Sequence, residues 1–550
     1  MAVSGKQTGN MGAELDSDKE EVMDQGVEDS FEDVKDAEEN DEFESPEEPS
    51  GKPLGLSVGI ETEYYILDEN NEPVSEEHRD LIIGKGEDSE FESIENVDHE
   101  LGASMVEIAS DPVKNPGSLD EIEHELESTE EDLIERIERV EEEENKEFKL
   151  VRHGANAAQD LDSIERTQEG KYIAVPNTYG EMRVEDEELE FTEDLVADRM
   201  TDEFGEIDNI DPRNEDLPAA ICSTQLNMQA DGIEDAVEKA NTGYAVAPYI
   251  TALAGNSRFI DGKDLGFNDT RMELWEKAFD IGDMEKDDLD IGKIDEYFQD
   301  LEDIKERLKE QPRIINDTEK EGIEEEYAET VEDIPLDVAE GMFWKDTRIK
   351  STEVYETEEG KEEQVRDDLL VEFRQNSTQP TLEEDIAVHA FYIGRVVYEQ
   401  EGLGEGDELL DIEKVNQNRY EAMRNGLDAE LYAWDAEEDD QPIEAEEVIG
   451  DELEKAREGL NYAIGDSSHL DILDRRLEKG VTPSDEITIQ YYDNLLEDHG
   501  YEATGRVKSP NELPDKLEYG DIPDEVKNAA AVEATNKISM TDSNQRLKAH

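Results

Sequence analysis

The stretch Gly59-Ile60-Glu61-Thr62-Glu63 places two carboxylates on one face of a predicted β-strand. From Leu54 to Tyr65 most even positions are apolar, whereas Glu61 and Glu63 occupy odd positions. Two such charges, about 5 to 7 Å apart at an effective dielectric constant of about 20, repel each other by about 2 to 3 kcal/mol. A sheet that holds both in ionised form needs a compensating cation, and a divalent metal is the natural candidate. The alternative is an exposed strand on which two of the 156 acidic residues fall close together by chance.

The composition bounds the class of protein and its compartment. The 550 residues are 35% hydrophobic, which is enough for the core of one large domain or two ordinary ones. A net charge of −105 would make the compact chain repel itself at low ionic strength. Molar salt shortens the Debye length to about 3 Å, so the charge indicates the cytoplasm of an extreme halophile. The same charge argues against nucleic acid as a partner, because phosphate binding needs a basic face.

Cys222 is the only cysteine, which excludes an internal disulfide and a cysteine-based zinc site. Because it alternates with Thr224, Leu226 and Met228, we predict a core thiol and not a nucleophile. The N-terminus lacks a signal-peptide pattern, and no apolar run reaches the about 18 residues that a membrane span needs. We therefore expect a cytoplasmic protein without a membrane partner, and a homo-oligomer stays open.

The pattern along the chain predicts an acidic tail, a main domain and a C-terminal extension. Residues 1–53 are expected to be disordered, since they are acidic and contain few apolar residues. The main domain spans residues 54–435, with acidic insertions near 181–215 and 283–333. Residues 436–550 are expected to form a helical extension.

Predicted strands and helices alternate through the main domain. Besides the first strand, we predict strands near 104–110, 221–229 and 369–374. Helices are predicted near 120–149, 233–254, 383–400 and 415–433, and a further helix near 444–464 in the C-terminal extension. The second acidic insertion is also expected to be helical, with Leu301, Ile304 and Leu308 as its apolar stripe. Several strands carry polar groups on one face and apolar groups on the other. This favours an α+β fold, in which a largely antiparallel sheet is backed by helices and presents a concave polar platform.

The predicted platform is rich in carboxylates and amides, namely Glu61, Glu63, Glu107, Gln225, Asn227 and Glu372, together with Arg374. Oxygen ligands of this kind suit Mg²⁺ or Mn²⁺ and not zinc, and magnesium in turn indicates bound phosphate. A half-exposed sheet with polar residues in water is the alternative. This alternative accounts for the polar residues of each strand taken alone. It accounts less well for the fact that these residues are Glu instead of Thr or Lys.

Three arginines, Arg271, Arg348 and Arg374, lie in patterned segments close to aromatic residues. A protein this acidic has to capture an anionic substrate locally, and the planar guanidinium matches carboxylate or phosphate oxygens. The alternative is that each arginine forms a salt bridge with the surplus of acids. The absence of a P-loop motif and of a G-x-G-x-x-G motif after a strand argues against the nucleotide sites that use them.

These segments together resemble the glutamate-cysteine ligase family, in its carboxylate-amine ligase branch, which belongs with glutamine synthetase. Residues 59–68 resemble the opening G-x-E-x-E strand of the family, and residues 98–112 resemble its second acidic strand. The segment 253–259, followed by Arg271 and Trp275, is similar to the A-N-S-P-F…G…G…R…W segment of the family. Further matches keep the family order and lie at residues 223–227, 344–348, 371–374 with 379–381, and 418–420 with 426–427.

The resemblance covers residues 54–435, and the sequence departs from the family pattern in places. Arg258 follows Ser257 where proline is usual, and Gln225 and Asn227 stand where the bacterial branch has histidines. These departures leave the use of ATP and metal as implied, but they leave the amine acceptor open.

The resemblance implies a glutamine synthetase-like ligase catalytic domain, in which ATP phosphorylates the γ-carboxylate of glutamate and an amine attacks the acyl phosphate. Glutamate and an amine, with cysteine as the expected amine, are the implied substrates. The implied ligands of Mg²⁺ (or Mn²⁺) are Glu61, Glu63, Glu107 and Glu372, with Glu100 as a further candidate. The implied nucleotide-binding residues are Glu61, Glu63, Gln225 and Asn227, and the implied catalytic residues are Arg271, Arg348 and Arg374. A ligase with another amine acceptor and a non-catalytic nucleotide-binding relative are the alternatives.

Overall fold

The structure is a computed structural model, and it describes most of the chain between residues 56 and 539. The described residues are 56–85, 91–114, 117–168, 216–278, 291–310, 344–358, 361–404, 408–437, 440–498 and 524–539, together with Lys35, Tyr172 and Asn214. The predicted acidic tail lies almost wholly outside these residues, as do most of the two predicted insertions.

An eight-stranded antiparallel sheet forms the centre of the fold. Its strands are β1 (Ser57–Asp68), β2 (Val97–His99), β3 (Met105–Ala109), β4 (Val113–Lys114), β5 (Phe148–Val151), β6 (Thr224–Ala230), β9 (Thr347–Glu358) and β10 (Lys361–Phe373). The strand order is β2-β3-β1-β6-β10-β9, and β4 and β5 also pair with β1. Two short hairpins lie outside the sheet and consist of β7 (Phe259–Ile260) with β8 (Lys263–Asp264) and β11 (Glu430–Leu431) with β12 (Ile443–Glu444).

Helices surround the sheet and continue to the end of the described chain. They are α1 (Glu76–Ile83), α2 (Asp120–Glu144), α3 (Ile233–Ala254), α4 (Thr270–Ala278), α5 (Leu301–Glu310), α6 (Leu382–Gln400), α7 (Ile412–Asn425), α8 (Ala445–Ala463), α9 (Asp471–Lys479), α10 (Pro483–Asp498) and α11 (Asp524–Ser539). The prediction of an α+β fold with an antiparallel sheet backed by helices is confirmed. Within the described part of the chain, none of these helices combines the length and the apolarity that crossing a bilayer requires.

The alternation along β1 assigns the two faces of the sheet. Val58, Ile60 and Ile66 are buried in the main hydrophobic core, where α2, α3 and α6 pack against the strands. Each such side chain contributes about 1.5 to 3 kcal/mol on burial, and a register slip by one residue would turn it to the opposite face. The register of β1 is therefore strongly specified, and it fixes Glu61 and Glu63 on the opposite, polar face. Cys222 is buried, as predicted.

The C-terminal helix α8 packs closely against α6 through two glycines. A Cβ atom added at Gly394 would lie 2.2 Å from the backbone oxygen of Ala456, and one at Gly459 would lie 1.9 Å from the backbone oxygen of Gly394. Any larger residue at either position would force the helices apart. The first of the predicted C-terminal helices therefore shares its packing with the helices that back the sheet.

Two helices are shorter than predicted. The helix predicted over 120–149 ends at Glu144, because Asn145 adopts a left-handed conformation and the chain then enters β5, which pairs with β1. The helix predicted over 415–433 ends at Asn425, where Gly426 has a φ of 54°. The spacing of apolar residues does not reveal either helix end, because both ends depend on the backbone conformation of the residue that follows the helix.

Candidate active site

The register of the sheet brings the predicted carboxylates and amides onto one face. The direct cross-strand pairs are Glu63 with Glu107, Glu61 with Gln225, and Glu372 with both Asn227 and Arg348. Directly opposed residues of antiparallel strands project to the same side of a sheet. The structure therefore places these seven side chains on a common surface, which we call the polar face.

Three carboxylates meet at one end of the polar face. Glu63, Glu100 and Glu107, which we call the acidic triad, each offer an oxygen, and these oxygens lie within 4.8 Å of one another. Glu63 is held firmly, since it accepts hydrogen bonds from the backbone N–H of Ser223 (2.6 Å), the hydroxyl of Ser223 (2.9 Å) and Nε2 of Gln225 (3.0 Å). A set of three carboxylates in this arrangement can hold a divalent cation.

The electrostatics of the acidic triad favour such a cation. Burial raises the pKa of Glu107 well above its usual range, and the negative charges of Glu61, Glu100 and Glu63 raise it further. Burial also raises the pKa of Glu63, although Arg271 and the hydrogen bonds from Ser223 oppose the shift. Negative charge is thus poorly compensated at this point, and an oxygen-only donor set suits Mg²⁺ or Mn²⁺.

Glu61 lies beside the triad and is oriented by Asn227. Nδ2 of Asn227 donates a hydrogen bond to Oε1 of Glu61 at 3.0 Å. Burial raises the pKa of Glu61; Lys350 opposes this shift and Glu372 adds to it. The charge of Glu61 acts on Glu107 of the acidic triad, and the charged residues farther along the polar face act on Glu61.

Three cations surround Glu372 in what we call the cationic cluster. Nε and Nη2 of Arg348 donate to the two oxygens of Glu372 at 2.5 and 3.2 Å. Nζ of Lys350 donates at 2.8 Å, and Nη1 of Arg374 lies 3.4 Å from Oε2. Burial alone would raise the pKa of Glu372, but the three cations hold it well below its usual range. The cluster carries a formal excess of two positive charges, which suits an anionic ligand.

Two tryptophans shape the environment of Arg374. The rings of Trp275 and Trp344 lie 5.2 Å apart at 75°, and the guanidinium of Arg374 is 5.3 and 5.2 Å from their centroids. Burial and the nearby charges of Arg348 and Arg271 lower the pKa of Arg374 to about 10, although Glu372 opposes the shift. The aromatic contacts thus hold a buried arginine at the edge of the cationic cluster.

Arg271 contributes to the site by hydrogen bonding to the backbone of Arg374 and Gln375. Its Nη1 donates to the carbonyl oxygen of Gln375 at 2.9 Å, and its Nη2 donates to that of Arg374 at 3.2 Å. The same guanidinium lies 5.2 Å from the ring of Trp275. Two of its donors are therefore committed to fixing the chain that carries Arg374.

A buried hydrogen-bond network supports Arg271 from the C-terminal helices. The backbone N–H of Arg271 donates to Oγ of Ser257 at 3.0 Å, and the backbone N–H of Ser257 donates to Oγ of Ser484 at 3.1 Å. Ser484, in the first turn of α10, also donates to the carbonyl oxygen of Asn268 at 2.6 Å. The C-terminal helices therefore contact the loop that positions the site.

Sequence reasoning missed two contributors to this site and gave a third little weight. Lys350 follows Arg348 by two residues on a strand, so its place on the same face was a readable signal. Glu100 was only a further candidate, although it completes the acidic triad. Ser484 carried no local signal, because its role depends on long-range packing.

The sequence model of "Glutamate-cysteine ligase family 2 (GCS2)" matches residues 57–510. Short alignments link the chain to chloroplastic glutamate–cysteine ligases: 37% identity over 60 residues with that of Medicago truncatula, and 35% over 60 residues with that of Brassica juncea. Each alignment covers 11% of this chain and 12% of the relative's length.

Two solved structures are similar to the described chain at low sequence identity. The Francisella tularensis glutamate–cysteine ligase in complex with AMP has a TM-score of 0.49 and 13% identity, and the match covers 88% of this chain and 93% of that one. A bifunctional glutathione synthetase from Pasteurella multocida has a TM-score of 0.44 and 10% identity, with 88% and 53% covered.

Proposed function

The chain belongs to glutamate-cysteine ligase family 2, and on this premise we propose that it is an ATP-dependent carboxylate-amine ligase. In the proposed reaction, an oxygen of the glutamate γ-carboxylate attacks the terminal phosphorus of ATP, which releases ADP and leaves an acyl phosphate. The amine nitrogen then attacks the acyl carbon, the C–O bond to phosphate breaks, and the nitrogen loses a proton. The amine that we propose is cysteine, which makes the product γ-glutamylcysteine.

The observation that carries this proposal is the placement of the acidic triad and the cationic cluster on one face of one sheet. Phosphoryl transfer depends chiefly on positioning and on neutralising the charge of the phosphates. A metal held by carboxylates supplies part of that neutralisation, and arginine and lysine supply the rest. The polar face offers both kinds of group.

The proposed metal site consists of Glu63, Glu100 and Glu107, with Glu61 beside them. Their oxygen donors and poorly compensated charge fit Mg²⁺ (or Mn²⁺), which when bound would polarise and neutralise phosphate oxygens. Glu372 was expected in this set on the resemblance, but its contacts with three cations support a different role. We propose that it orients Arg348 and Lys350.

The cationic cluster is the proposed site for the transferring phosphoryl group or the substrate carboxylate. Arg348 and Lys350 present their charge from one strand, and Arg374 approaches from the next. Arg271 is proposed to act mainly by fixing the backbone of Arg374. This division assigns direct anion contact to Arg348, Lys350 and Arg374.

The two amides of β6 are proposed to orient the carboxylates beside them. Gln225 donates to Glu63, and Asn227 donates to Glu61. The buried Oδ1 of Asn227 has no hydrogen-bond partner within the described chain, so it can accept a hydrogen bond from the nucleotide or a substrate. We therefore keep Asn227 as a nucleotide- or substrate-binding candidate.

The proposed function is tested by ADP release with glutamate and a panel of amines in molar KCl, with each product identified by mass spectrometry. We expect ADP release to require glutamate, Mg²⁺ and an amine, with cysteine giving the highest kcat/KM. Higher kcat/KM with another amine would reassign the acceptor. ADP release from no combination would favour a binding protein.

A further inference from the structure

A second cluster of metal-ligating side chains lies outside the polar face. Asp120 and Glu123 belong to the first turn of α2, and His469 lies in the short 3₁₀ segment Ser468–Leu470 that precedes α9. One ligand atom from each of the three residues lies within 4.8 Å of the other two. The cluster therefore joins a helix that backs the sheet to the C-terminal helices.

His469 is buried and aimed at the two carboxylates. It is 8% exposed, its Nε2 lies 2.9 Å from Oδ1 of Asp120, and its Nδ1 lies 3.8 Å from Oε2 of Glu123. Despite the short distance, Nε2 makes no hydrogen bond within the described chain. Its contact with Asp120 therefore has an ion-pair distance without hydrogen-bond geometry, and a buried polar atom without a hydrogen bond costs about 1 to 3 kcal/mol.

The geometry around Nε2 resembles that of two ligands on one ion. Nitrogen and oxygen ligands each lie about 2.0 to 2.2 Å from a transition metal, which at right angles puts them about 3 Å apart. The nitrogen lone pair then points at the ion and not at the oxygen. A short N···O distance without hydrogen-bond alignment fits this arrangement.

The local charge also favours a cation. The negative charges of Glu127 and Glu383 act on Glu123 in addition to that of Asp120. The helix dipole places about half a positive charge at the N-terminus of α2, and this charge disfavours a bound cation. Two carboxylates outweigh this effect.

We propose that Asp120, Glu123 and His469 form a second divalent-metal site, which takes a transition metal of the Mn²⁺ or Zn²⁺ class. Imidazole with carboxylates is a typical ligand set for these ions, whereas Mg²⁺ and Ca²⁺ prefer oxygen alone. The bound ion ties the first turn of α2 to the segment that leads into α9. This site is independent of the proposed ligase activity.

The test uses the full-length chain without a histidine tag, loaded with Mn²⁺ and studied by electron spin echo envelope modulation. The acidic triad offers only oxygen, so nitrogen modulation reports the second site. We expect imidazole nitrogen modulation in the wild type, its loss in His469→Ala, and its retention in Glu107→Gln. In Asp120→Asn, we expect at least a tenfold loss of Mn²⁺ affinity at this site.

Two variants keep the result independent of folding. The side chain of Asp120 is 71% exposed, so Asp120→Asn removes a ligand without disturbing the core. The matched control is His124→Ala, because His124 lies on the same helix and its side chain is 87% exposed. Absence of nitrogen modulation in the wild type would overturn the proposal, as would modulation that survives His469→Ala or disappears in His124→Ala.

Discussion

Glu63 lies directly opposite Glu107 in the antiparallel pair of β1 and β3. Like charges in this position destabilise a sheet, and the nearby carboxylate of Glu100 adds to the effect. Glu372 occupies the same face but is surrounded by three cations. One sheet thus holds poorly compensated negative charge at one point and excess positive charge at another, and substitutions at the two points should change stability with opposite signs.

We predict that Glu107→Gln stabilises the metal-free protein by about 1 to 2 kcal/mol at pH 7, because it removes a half-buried charge that faces other carboxylates. The same substitution should lower Mg²⁺-dependent ADP release at least 100-fold. Urea unfolding in the presence of a chelator, at constant KCl, measures the first effect. A destabilised variant that retains full turnover would contradict the role of Glu107.

The pH dependence of that effect has a defined sign. The pKa of Glu107 is raised in the folded protein, so its contribution to stability is fully present below the unfolded pKa of about 4.3 and is lost as the pH rises through the folded pKa. Metal-free wild type should therefore lose more stability than Glu107→Gln as the pH rises. Added Mg²⁺ should reverse this loss, because the metal binds the ionised form. Parallel pH profiles of melting temperature for the two proteins would rule this out.

Glu372→Gln should destabilise the protein by about 3 kcal/mol at pH 7, because it leaves Arg348, Lys350 and Arg374 without their common partner. The pKa of Glu372 is lowered in the folded protein. Its contribution is therefore present above the unfolded pKa and lost as the pH falls through the folded pKa. Glu444→Gln, at an exposed strand position, is the matched control and should be neutral. Equal stability of the two variants would refute the prediction.

Arg348→Lys should lower kcat/KM for ADP release about 100-fold. Lysine keeps the charge but lacks the planar guanidinium, which can donate hydrogen bonds to both Glu372 and an anionic ligand. Steady-state kinetics with varied ATP and glutamate measure the effect. Arg139→Lys makes the same change on the exposed surface of α2, where the side chain of Arg139 is 61% exposed, and should leave the kinetics unchanged. A twofold or smaller effect at Arg348 would remove it from the proposed anion site.

Ser484→Ala should lower kcat about tenfold with a smaller effect on KM, because the hydroxyl supports Ser257, which in turn positions Arg271. The control is Ser467→Ala, a buried C-terminal serine that accepts hydrogen bonds from Arg457 and Asn461. Both variants lose a buried hydroxyl, so the difference in kcat between them measures the positioning effect. Equal kcat values for the two variants would count against it.

Local alternation was enough to predict which residues share the polar face, because the side chains of a strand alternate with a period of two. Glu61 and Glu63 on β1, and Gln225 and Asn227 on β6, could therefore be assigned to a face from sequence. Their neighbours across the sheet depend on long-range pairing, which local patterns do not encode. The sequence could not show that Glu372 meets Arg348 and Lys350 while Glu63 meets Glu107.

The same limit explains the residues that were missed or underweighted. Glu100 joins the triad through the β2–β3 region of the fold, and Ser484 contacts Ser257 from a helix more than two hundred residues away along the chain. The acidic insertion predicted at 283–333 was expected to lie on the surface and to be helical, with Leu301, Ile304 and Leu308 as its apolar stripe. The structure contains this helix, α5, but Ile304 and Leu308 are buried in the main core together with Phe298. The stripe was readable from local spacing, whereas the depth of its burial depends on long-range packing.

The central claim is that the polar face transfers a phosphoryl group to a substrate carboxylate before amide formation. The most direct measurement uses glutamate labelled with ¹⁸O in its γ-carboxylate, incubated with ATP, Mg²⁺ and cysteine in molar KCl. Mass spectrometry of the released phosphate then follows the label. We predict one ¹⁸O atom per phosphate formed by the wild type, and at least 100-fold less product with Glu107→Gln. Phosphate without ¹⁸O, formed together with the amide, would contradict the acyl-phosphate account.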